Sequence, residues 1–456
     1  MVAPIRIVVA GTHSGVGKTT VASGLMAALT SKGLKVAPFK VGPDFIDPSY
    51  HTLATGRPGR NLDAYLSGPE LISPLFAHGS RGADVAVVEG VMGLFDGKSG
   101  GGELASTAHV AKLLHAPVVL VVDASAMARS AAALVHGYAT FDPALRLVGV
   151  VLNRVGSPTH EKLLREAIEP LGIPVLGVLR RRDAALSTPN RHLGLVPVAE
   201  REHGARTMLD AASAAVARSC DLEGILRMAA SAGPLSAEPW SPQAPESGPQ
   251  AHVAVAAGPS FSFLYRENLE LLEGAGAEVA TFDPTTDEAL PEGADALYLG
   301  GGFPETYAEA LSANEPLKQH VRRFAAEGRP VVAECGGLLY LARALDGHPM
   351  CGVIDAESRM TDRLTLGYRE GRALSGSPLT GAGAVVRGHE FHYSAVEPGL
   401  GENPAWDLSG RGPEGFVSGG VHASYLHTHW AAFPELPRRL ARSAVRARTL
   451  AMEATA

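Results

Sequence analysis

A glycine-rich segment near the start of the chain, GTHSGVGKTT from Gly11 to Thr20, constrains the fold more than any other feature. An apolar strand pattern, Ile5 to Ala10, precedes this segment. Val21, Leu25 and Leu29 follow it at the spacing of one helix face. The order strand, glycine loop, helix is typical of a site for a nucleoside triphosphate, because the N–H groups at the start of the helix can surround phosphate oxygens.

The residues of this loop predict how ATP would be held. We expect the N–H groups of Ser14 to Lys18 to surround the phosphates, Lys18 to neutralise the β and γ phosphates, and the Thr19 hydroxyl to reach Mg²⁺. The spacing departs from GxxxxGK[ST], since Thr12 stands where the first glycine belongs and Gly11 precedes it. The predicted ATP-binding residues are Gly11, Ser14, Gly15, Val16, Gly17, Lys18, Thr19 and Asn153.

Asn153 is included because it ends a strand pattern and its amide can both donate and accept at an adenine edge. A turn-forming asparagine fits the sequence nearly as well.

Five more short apolar runs alternate with helical patterns in the first half: Val36 to Phe39, Val85 to Val88, Val118 to Val122, Val148 to Leu152 and Val175 to Leu179. This alternation predicts a doubly wound α/β fold with a parallel sheet.

Carboxylates follow two of these strand patterns. Asp44 and Asp47 come after the second pattern, and Glu89 and Asp96 come after the third. Ligands bind at the carboxyl ends of the strands in such sheets, and Mg²⁺ prefers oxygen ligands. We therefore predict a metal site made by Thr19, Asp47 and Glu89. Simple loop capping remains an alternative for the three aspartates, and Pro48 predicts an extended backbone at Asp47.

The composition changes in the middle of the chain. Residues 232–250 are rich in Pro, Ser, Gly and Ala, which predicts a linker between a first domain of residues 1–231 and a second domain of residues 251–456. The alternation of strands and helices then restarts with His252 to Ala257, a helix near Phe263 to Glu273, Ala296 to Leu299 and Val331 to Ala333. The second half is therefore also predicted to be α/β.

A cysteine between an apolar strand and two glycines, in the segment AECGG, predicts a thiol nucleophile on a sharp turn between strand and helix. Cys335 is this nucleophile. Gly301, Gly302 and Gly336 are predicted to supply N–H groups for an oxyanion hole. The segment SYLHTH offers His427 or His429 as the base, and we favour His427. A buried structural cysteine is the alternative.

The histidine-rich segments do not favour a zinc site. RGHEFHY differs from HExxH, because Tyr393 stands where the second histidine ligand belongs. We expect His389 and His392 to line the pocket of the thiol site or to hold loops.

Composition excludes several classes of protein. A formal charge of -7 gives no basic surface for nucleic acid, and the apolar runs are too short to span a bilayer. Three cysteines without a close pair argue against a disulfide framework, so we expect a cytoplasmic protein that acts on small molecules. The sequence is compatible with a homodimer and does not determine the oligomeric state.

Seven segments taken in order resemble the corrinoid a,c-diamide synthase family, which acts on hydrogenobyrinic or cobyrinic acid. They are GTHSGVGKTT, KVGPDFIDPSYH, VVEGVMGLFDG, GGGFPE, AECGGLLYLA, GHEFHYS and SYLHTH. The resemblance implies a first domain similar to dethiobiotin synthetase and a second domain of the class I-like glutamine amidotransferase type. It also implies ATP- and glutamine-dependent amidation of the a and c acetate groups, and substrate contacts from Asp44, Phe45 and Asp96.

The chemistry of the residues fits this reaction. A carboxylate does not react with ammonia at neutral pH, so phosphorylation by ATP must first give an acyl phosphate. A thiol that attacks glutamine can release the ammonia locally. Two alternatives from the same chemistry are a cobyric acid synthase and a sirohydrochlorin-type amidation. A partition-type ATPase switch is a third alternative, but its signature lysine falls at His13. The glutamate common two residues beyond the base is replaced by His429, which leaves a third triad member unassigned.

Overall fold

The six strand patterns of the first half form one sheet in the computed structural model, which describes residues 3–181, 190–191, 194–195, 198, 202–242 and 250–455. The seven strands of this sheet are β1 Ile5–Gly11, β2 Val36–Val41, β3 Arg60–Leu62, β4 Val85–Glu89, β5 Val118–Asp123, β6 Leu147–Val155 and β7 Val175–Arg180, of which β3 matches none of the six patterns. The short strands β8 Asn190–Arg191 and β9 Gly194–Leu195 form a separate antiparallel pair. The sheet has the order β3-β2-β4-β1-β5-β6-β7, and all of its pairs are parallel.

Eight helices accompany these strands in the described part of the first half. They are α1 Lys18–Ser31, α2 Ile46–Thr55, α3 Pro69–Gly79, α4 Thr107–Leu113, α5 Ser130–Thr140, α6 Pro158–Ile168, α7 Glu202–Ser219 and α8 Leu222–Ala230. The central strands read as almost continuous apolar runs because both of their faces are buried, as Val8 and Val87 show. The carboxyl ends of β1, β2 and β4 lie side by side, so the loops that follow these strands meet at one edge of the sheet.

The chain divides into two units, Met1–Trp240 and Ser241–Ala456. The first part of the predicted linker belongs to the first unit: Trp240 is buried, its N–H donates to the Pro74 carbonyl at 2.9 Å, and its ring packs edge-on against His78. Residues 243–249 of the predicted linker lie outside the described residues. None of the helices described is long and apolar enough to cross a membrane.

The second unit contains two sheets. A six-stranded sheet has the order β11-β10-β12-β13-β21-β20, parallel except for the edge strand β20. Its strands are β10 Ala251–Ala256, β11 Ala277–Phe282, β12 Ala296–Leu299, β13 Val331–Glu334, β20 Phe416–Ser418 and β21 Val421–Ser424. The helices of this unit are α9 Arg266–Gly274, α10 Ala308–Ala313, α11 Glu315–Ala326, α12 Gly336–Leu341 and α13 Glu435–Thr455. The α/β class predicted for both halves is confirmed.

The other sheet of the second unit is built on a long antiparallel hairpin of β16 Glu357–Ala373 and β17 Val385–Glu397, which the strand patterns did not predict. The remaining strands are β14 Ala344–Leu345, β15 His348–Pro349, β18 Trp406–Leu408, β19 Gly412–Glu414 and β22 His427–Thr428. The strand β22 pairs with β17 and follows β21 after two residues. Since β21 is the neighbour of β13, the chain after β21 returns close to the end of β13, where the predicted thiol nucleophile lies.

Candidate active sites

The glycine loop after β1 has the backbone of a phosphate-binding turn. Gly15 and Gly17 have φ angles of +81° and +99°, a region that residues with a Cβ rarely adopt. Lys18 begins helix α1, and its ammonium group donates to the His13 carbonyl at 3.0 Å and to the Met92 carbonyl at 2.6 Å. Burial, and then the charge of Lys40, lowers the pKa of Lys18 to about 8. A bound phosphate would supply the negative charge that this lysine lacks.

A buried lysine that was not among the predicted site residues contacts two of the predicted metal ligands. The Lys40 ammonium at the end of β2 lies 2.5 Å from Asp47 Oδ2 and 3.0 Å from Glu89 Oε1. Asp44 Oδ2 is more distant, at 4.0 Å. Burial alone lowers the pKa of Lys40, but Asp47 and Glu89 outweigh burial and raise that pKa above its ordinary value. Lys40 is therefore a fixed positive charge beside two buried carboxylates.

Glu89 has polar partners on both of its carboxylate oxygens. Its Oε1 accepts a hydrogen bond from the Thr19 hydroxyl at 2.6 Å, and its Oε2 lies 2.6 Å from His51 Nε2. Burial favours the protonated carboxyl, yet Lys40 and His51 hold the pKa of Glu89 below its ordinary value. His51 is completely buried on helix α2. It was missed because a lone histidine on an apolar helix gives no pattern, although it lies in the quoted segment KVGPDFIDPSYH.

The extended backbone expected at Asp47 is wrong. Asp47 is the second residue of helix α2, and Pro48 is the third. A proline is tolerated in the first helical turn because the N–H groups there have no partner within the helix. Asp44 holds the start of this helix, since its Oδ1 accepts from the N–H of Ile46 at 2.7 Å and of Asp47 at 3.4 Å. The loop-capping alternative thus describes the contacts of Asp44.

The oxygens of Thr19, Asp47 and Glu89 have the arrangement that a hard cation needs. The Thr19 hydroxyl lies 2.6 Å from Glu89 Oε1 and 3.4 Å from Asp47 Oδ2, so three oxygens converge. Burial, together with the charges of Asp44 and Glu89, raises the pKa of Asp47. Converging hydroxyl and carboxylate oxygens are the ligands that Mg²⁺ prefers, and the residues therefore fit this ion. In the described part of the chain, no group of three His, Cys, Asp or Glu side chains forms a metal site by itself.

The other predicted residues of the first site lie around this cluster. Phe45 is half-buried at the start of α2. Asp96 is exposed, and its Oδ2 accepts from the Gly93 N–H at 2.9 Å. The Asn153 side chain donates to the Val16 carbonyl at 2.8 Å, and a Cβ at Gly17 would clash with it. Asn153 thus holds the phosphate loop by a hydrogen bond to its backbone. The predicted contact of Asn153 with adenine stays a prediction.

In the second unit, the backbone at Cys335 is strained. Cys335 directly follows β13 and precedes α12 with φ +49° and ψ −98°, values that a residue with a Cβ rarely adopts. Its N–H donates to the Ser424 carbonyl at 2.8 Å, which fixes the turn against β21. The side chain is buried, and burial raises the pKa of the Cys335 thiol. A thiol in such surroundings needs a base to become a nucleophile.

The glycines predicted to form an oxyanion hole converge on this turn. A Cβ at Gly336 would lie 2.9 Å from the Gly302 nitrogen, and the Gly337 N–H donates to the Gly300 carbonyl at 3.0 Å. The Gly301 N–H already donates to the Phe263 carbonyl at 3.3 Å. Gly302 and Gly336 are consequently better placed than Gly301 to bind a developing oxyanion.

The two candidate bases have different surroundings. A Cβ at Gly301 would clash with the His427 ring, so His427 lies against the oxyanion loop. His389 stacks on His427 with ring centroids 4.8 Å apart, and burial is the main cause that lowers the pKa of His427. His429 instead lies 3.5 Å from the carboxylate of Glu267, and both side chains are buried. These contacts favour His427 as the base and place His429 against a buried carboxylate.

A buried carboxylate, Glu390, with two arginines beside it was also missed. Glu390 Oε2 lies 2.6 Å from Arg369 Nε and 3.5 Å from Arg411 Nε, and its Oε1 lies 3.7 Å from His392 Nε2. Burial raises the pKa of Glu390, but His392 and the two arginines outweigh burial and lower that pKa. The negative charge of Glu390 also acts on Cys335 and His427. Arg369 and Arg411 lie outside every motif, so no sequence pattern could have identified them.

Comparisons with known proteins assign a family domain to each half of the chain. Residues 7–196 match the family of CobQ/CobB/MinD/ParA nucleotide binding domains, and residues 252–435 match the CobB/CobQ-like glutamine amidotransferase domain. A hydrogenobyrinate a,c-diamide synthase of Streptomyces coelicolor is 58% identical over 95% of this chain and 96% of its own length. One of Mycobacterium bovis is 52% identical over 94% and 95%. A cobyrinate a,c-diamide synthase of Syntrophotalea carbinolica is 45% identical over 95% and 97%.

Proposed function

The chain belongs to the a,c-diamide synthase family, and from this premise we propose that it is a glutamine-hydrolysing ligase that amidates the a and c carboxylates of hydrogenobyrinate with ATP. The observation that carries the proposal is the presence in one chain of two sites, the phosphate loop with its buried cluster of carboxylates and the strained Cys335 beside Gly302. Hydrogenobyrinate is preferred to cobyrinate because the relatives named for it are more similar, at 58% and 52% against 45%.

The first site activates the carboxylate. The carboxylate oxygen of the substrate attacks the γ-phosphorus of ATP, the bond to the β,γ-bridging oxygen breaks, and ADP leaves. Lys18 and Lys40 offset the negative charge that develops in this transfer, because both ammonium groups are held in place beforehand. Thr19, Asp47 and Glu89 would hold Mg²⁺, which would supply positive charge to offset that of the phosphate groups.

The second site releases ammonia. His427 accepts the thiol proton, and the Cys335 sulfur attacks the side-chain amide of glutamine. His427 then gives this proton to the amide nitrogen as the C–N bond breaks, which yields a thioester and ammonia. The N–H groups of Gly302 and Gly336 bind the oxyanion of the tetrahedral intermediate. Water then hydrolyses the thioester to glutamate. The ammonia attacks the carbonyl carbon of the acyl phosphate, and the amide forms as phosphate leaves.

The charged group around Glu390 suits the amino-acid end of glutamine. Arg369 and Arg411 present guanidinium groups to one buried carboxylate, and such groups bind carboxylates with two parallel hydrogen bonds. We assign the α-carboxylate of glutamine to these arginines and its α-ammonium group to Glu390.

The three cysteines are free thiols, which fits a nucleophile kept reduced in the cytoplasm. A homodimer is the assembly that we propose to test by light scattering.

The test incubates the purified full-length chain with MgATP, glutamine and either hydrogenobyrinate or cobyrinate, and reads the products by mass. We expect the diamide of hydrogenobyrinate, one ADP per amide formed, and a monoamide at early times. Diamide formation from cobyrinate alone would contradict the choice of substrate. A chain that amidates neither acid would contradict the proposed activity.

A further inference from the structure

A buried carboxylate lies directly before the nucleophile and bonds to the residue directly after the base. Glu334 is the last residue of β13, and Thr428 is the last residue of β22. Glu334 Oε1 accepts a hydrogen bond from the Thr428 hydroxyl at 2.5 Å and another from the Thr428 N–H at 3.3 Å. Both side chains are buried, with 4% and 1% of their surface exposed. The contact of Glu334 with Thr428 thus joins the end of β13, which directly precedes Cys335, to the end of β22, which begins with His427.

Other buried groups complete the surroundings of this contact. The Tyr298 hydroxyl donates to Glu334 Oε2 at 3.2 Å, and the Trp430 indole N–H donates to the Thr428 hydroxyl at 2.8 Å. The Asn268 amide donates to the Thr428 carbonyl at 2.9 Å and accepts from the Trp430 N–H at 2.9 Å. The N–H, the carbonyl and the hydroxyl of Thr428 therefore all have hydrogen-bond partners, and this network fixes the side chain and the backbone of Thr428.

We propose that Glu334 is a positioning residue which, by holding Thr428, fixes the imidazole of His427 relative to the sulfur of Cys335. The inference rests on the proposed function, because it takes His427 as the base of the glutamine-hydrolysing site. Glu334 and Thr428 do not touch glutamine in this scheme, and they act only through the two residues beside them.

The strand that carries His427 is too short to fix the base by itself. β22 has two residues, and among the described residues its strand partners are Gly388 and His389 of β17. Successive residues of a strand point to opposite faces of the sheet. Hydrogen bonds to Thr428 therefore hold the backbone of β22 from the face opposite to the His427 side chain. The position two residues beyond the base, where related glutamine-hydrolysing sites often have a glutamate, is taken by His429, which pairs with Glu267. Glu334 supplies a carboxylate anchor from another strand.

The contact depends on an acceptor oxygen at this position more than on a negative charge. Burial raises the pKa of Glu334 to about 7, against the opposing effect of the hydrogen bonds from Thr428 and Tyr298. An uncharged glutamine can accept from Thr428 with its carbonyl oxygen and donate to Tyr298 with its amide. The conservative variant should therefore preserve the position of His427, whereas an apolar residue should not.

The test compares Thr428→Val with Thr428→Ser, and Glu334→Leu with Glu334→Gln, in the full-length chain. We measure kcat and KM for glutamine hydrolysis, the pH profile of Cys335 alkylation by iodoacetamide, and amidation of hydrogenobyrinate with ammonium chloride. Thr428→Val and Glu334→Leu should lower kcat for hydrolysis on the order of 100-fold, because a misplaced base costs about that much. KM for glutamine and amidation with ammonia should stay near the values of the unmodified protein. Thr428→Ser and Glu334→Gln should restore most of kcat.

Three results would overturn the inference. The first is an unchanged kcat in Thr428→Val, and the second is an equal loss of kcat in Thr428→Val and Thr428→Ser. The third is a parallel loss of ammonia-dependent amidation, which would assign Glu334 to the stability of the fold. Failure of the proposed function looks different, because the unmodified protein would then not hydrolyse glutamine or Cys335→Ser would still do so.

Discussion

The ammonium group of Lys40 lies 2.5 Å from Oδ2 of Asp47 inside the first unit, and both side chains are buried. A second carboxylate, Glu89, lies 3.0 Å from the same nitrogen. Two carboxylates that share one lysine leave the cluster with an excess of negative charge. A divalent cation bound by these carboxylates would balance this charge.

Replacing Lys40 should disable the first site and destabilise the first unit. Lys40→Met leaves Asp47 and Glu89 buried without their main partner, and breaking a buried ion pair costs about 3–5 kcal/mol. We expect amidation with glutamine and with ammonia to be lost, while glutamine hydrolysis persists. Urea unfolding with and without Mg²⁺ measures the stability, and Mg²⁺ should recover more of it in the variant than in the unmodified protein.

Lys35→Met is the matched control, because Lys35 is exposed just before the same strand. It should keep both amidation and stability. A Lys40→Met protein with unchanged stability and turnover would show that the cluster works without this lysine.

The sequence predicted the strands of this site better than its side-chain partners. Strands buried on both faces are continuous apolar runs, so the six strand patterns and the carboxylates after them could be located. Lys40 and His51 could not, because a single charged residue in a strand or helix has no period. The hairpin of β16 and β17 was also missed: Leu366 is 59% exposed and charged residues interrupt the strand, so it lacks the alternation of a half-buried sheet.

Replacing the nucleophile should separate the two activities. Cys335→Ser removes the thiol that attacks glutamine and leaves the first site untouched, so glutamine-dependent amidation should be abolished. Amidation with high concentrations of ammonium chloride should remain. Product masses with each nitrogen donor give the answer, and loss of the ammonia-driven reaction in a folded variant would contradict two separate sites.

The two histidines of the segment SYLHTH should respond differently to the same substitution. His427→Asn removes the group beside Gly301 and should lower glutamine hydrolysis about as much as Cys335→Ser, by several orders of magnitude. His429→Asn breaks the contact with Glu267 and should cost stability more than turnover. Kinetics of glutamine hydrolysis and thermal unfolding of both variants decide between them. The reverse order of effects would move the base to His429.

Acid should destabilise the second unit partly through His422. Burial lowers the pKa of His422 from 6.5 to about 4, and its Nδ1 lies 3.1 Å from the Ser377 hydroxyl. The unfolded chain then binds a proton below pH 6.5 that the folded chain does not bind until about pH 4, so stability is lost as the pH falls through this window. The full contribution is about 3 kcal/mol.

The variant His422→Gln should therefore lose less stability than the unmodified protein between pH 7.5 and pH 4.5, about 2–3 kcal/mol less. Urea unfolding at both pH values, followed by tryptophan fluorescence, measures the difference. The comparison isolates His422, because His389, whose pKa is also lowered by burial, and Glu414, whose pKa burial raises, are present in both proteins. Parallel losses in the two proteins would contradict the assignment.

Asp44 and Asp47 should have different tasks although one short segment carries both. Asp47 is buried against Lys40 and lies 3.4 Å from the Thr19 hydroxyl, where a metal ligand belongs. Asp44 is half-buried and accepts from the N–H groups at the start of α2. Asp47→Asn should therefore raise the Mg²⁺ concentration needed for half-maximal amidation, by tenfold or more if the loss of one charged ligand costs about 1.4 kcal/mol.

Asp44→Asn should instead raise KM for hydrogenobyrinate or halt the reaction at a monoamide, because its partly exposed carboxylate lies next to Phe45 at the edge of the site. An asparagine oxygen can still accept from Ile46, so the helix start is preserved in this variant. Titrating Mg²⁺ and hydrogenobyrinate separately against both variants, with ammonia as the nitrogen donor, removes any effect of the second site. Identical titration profiles for the two variants would show a single shared acidic loop and contradict the division of tasks.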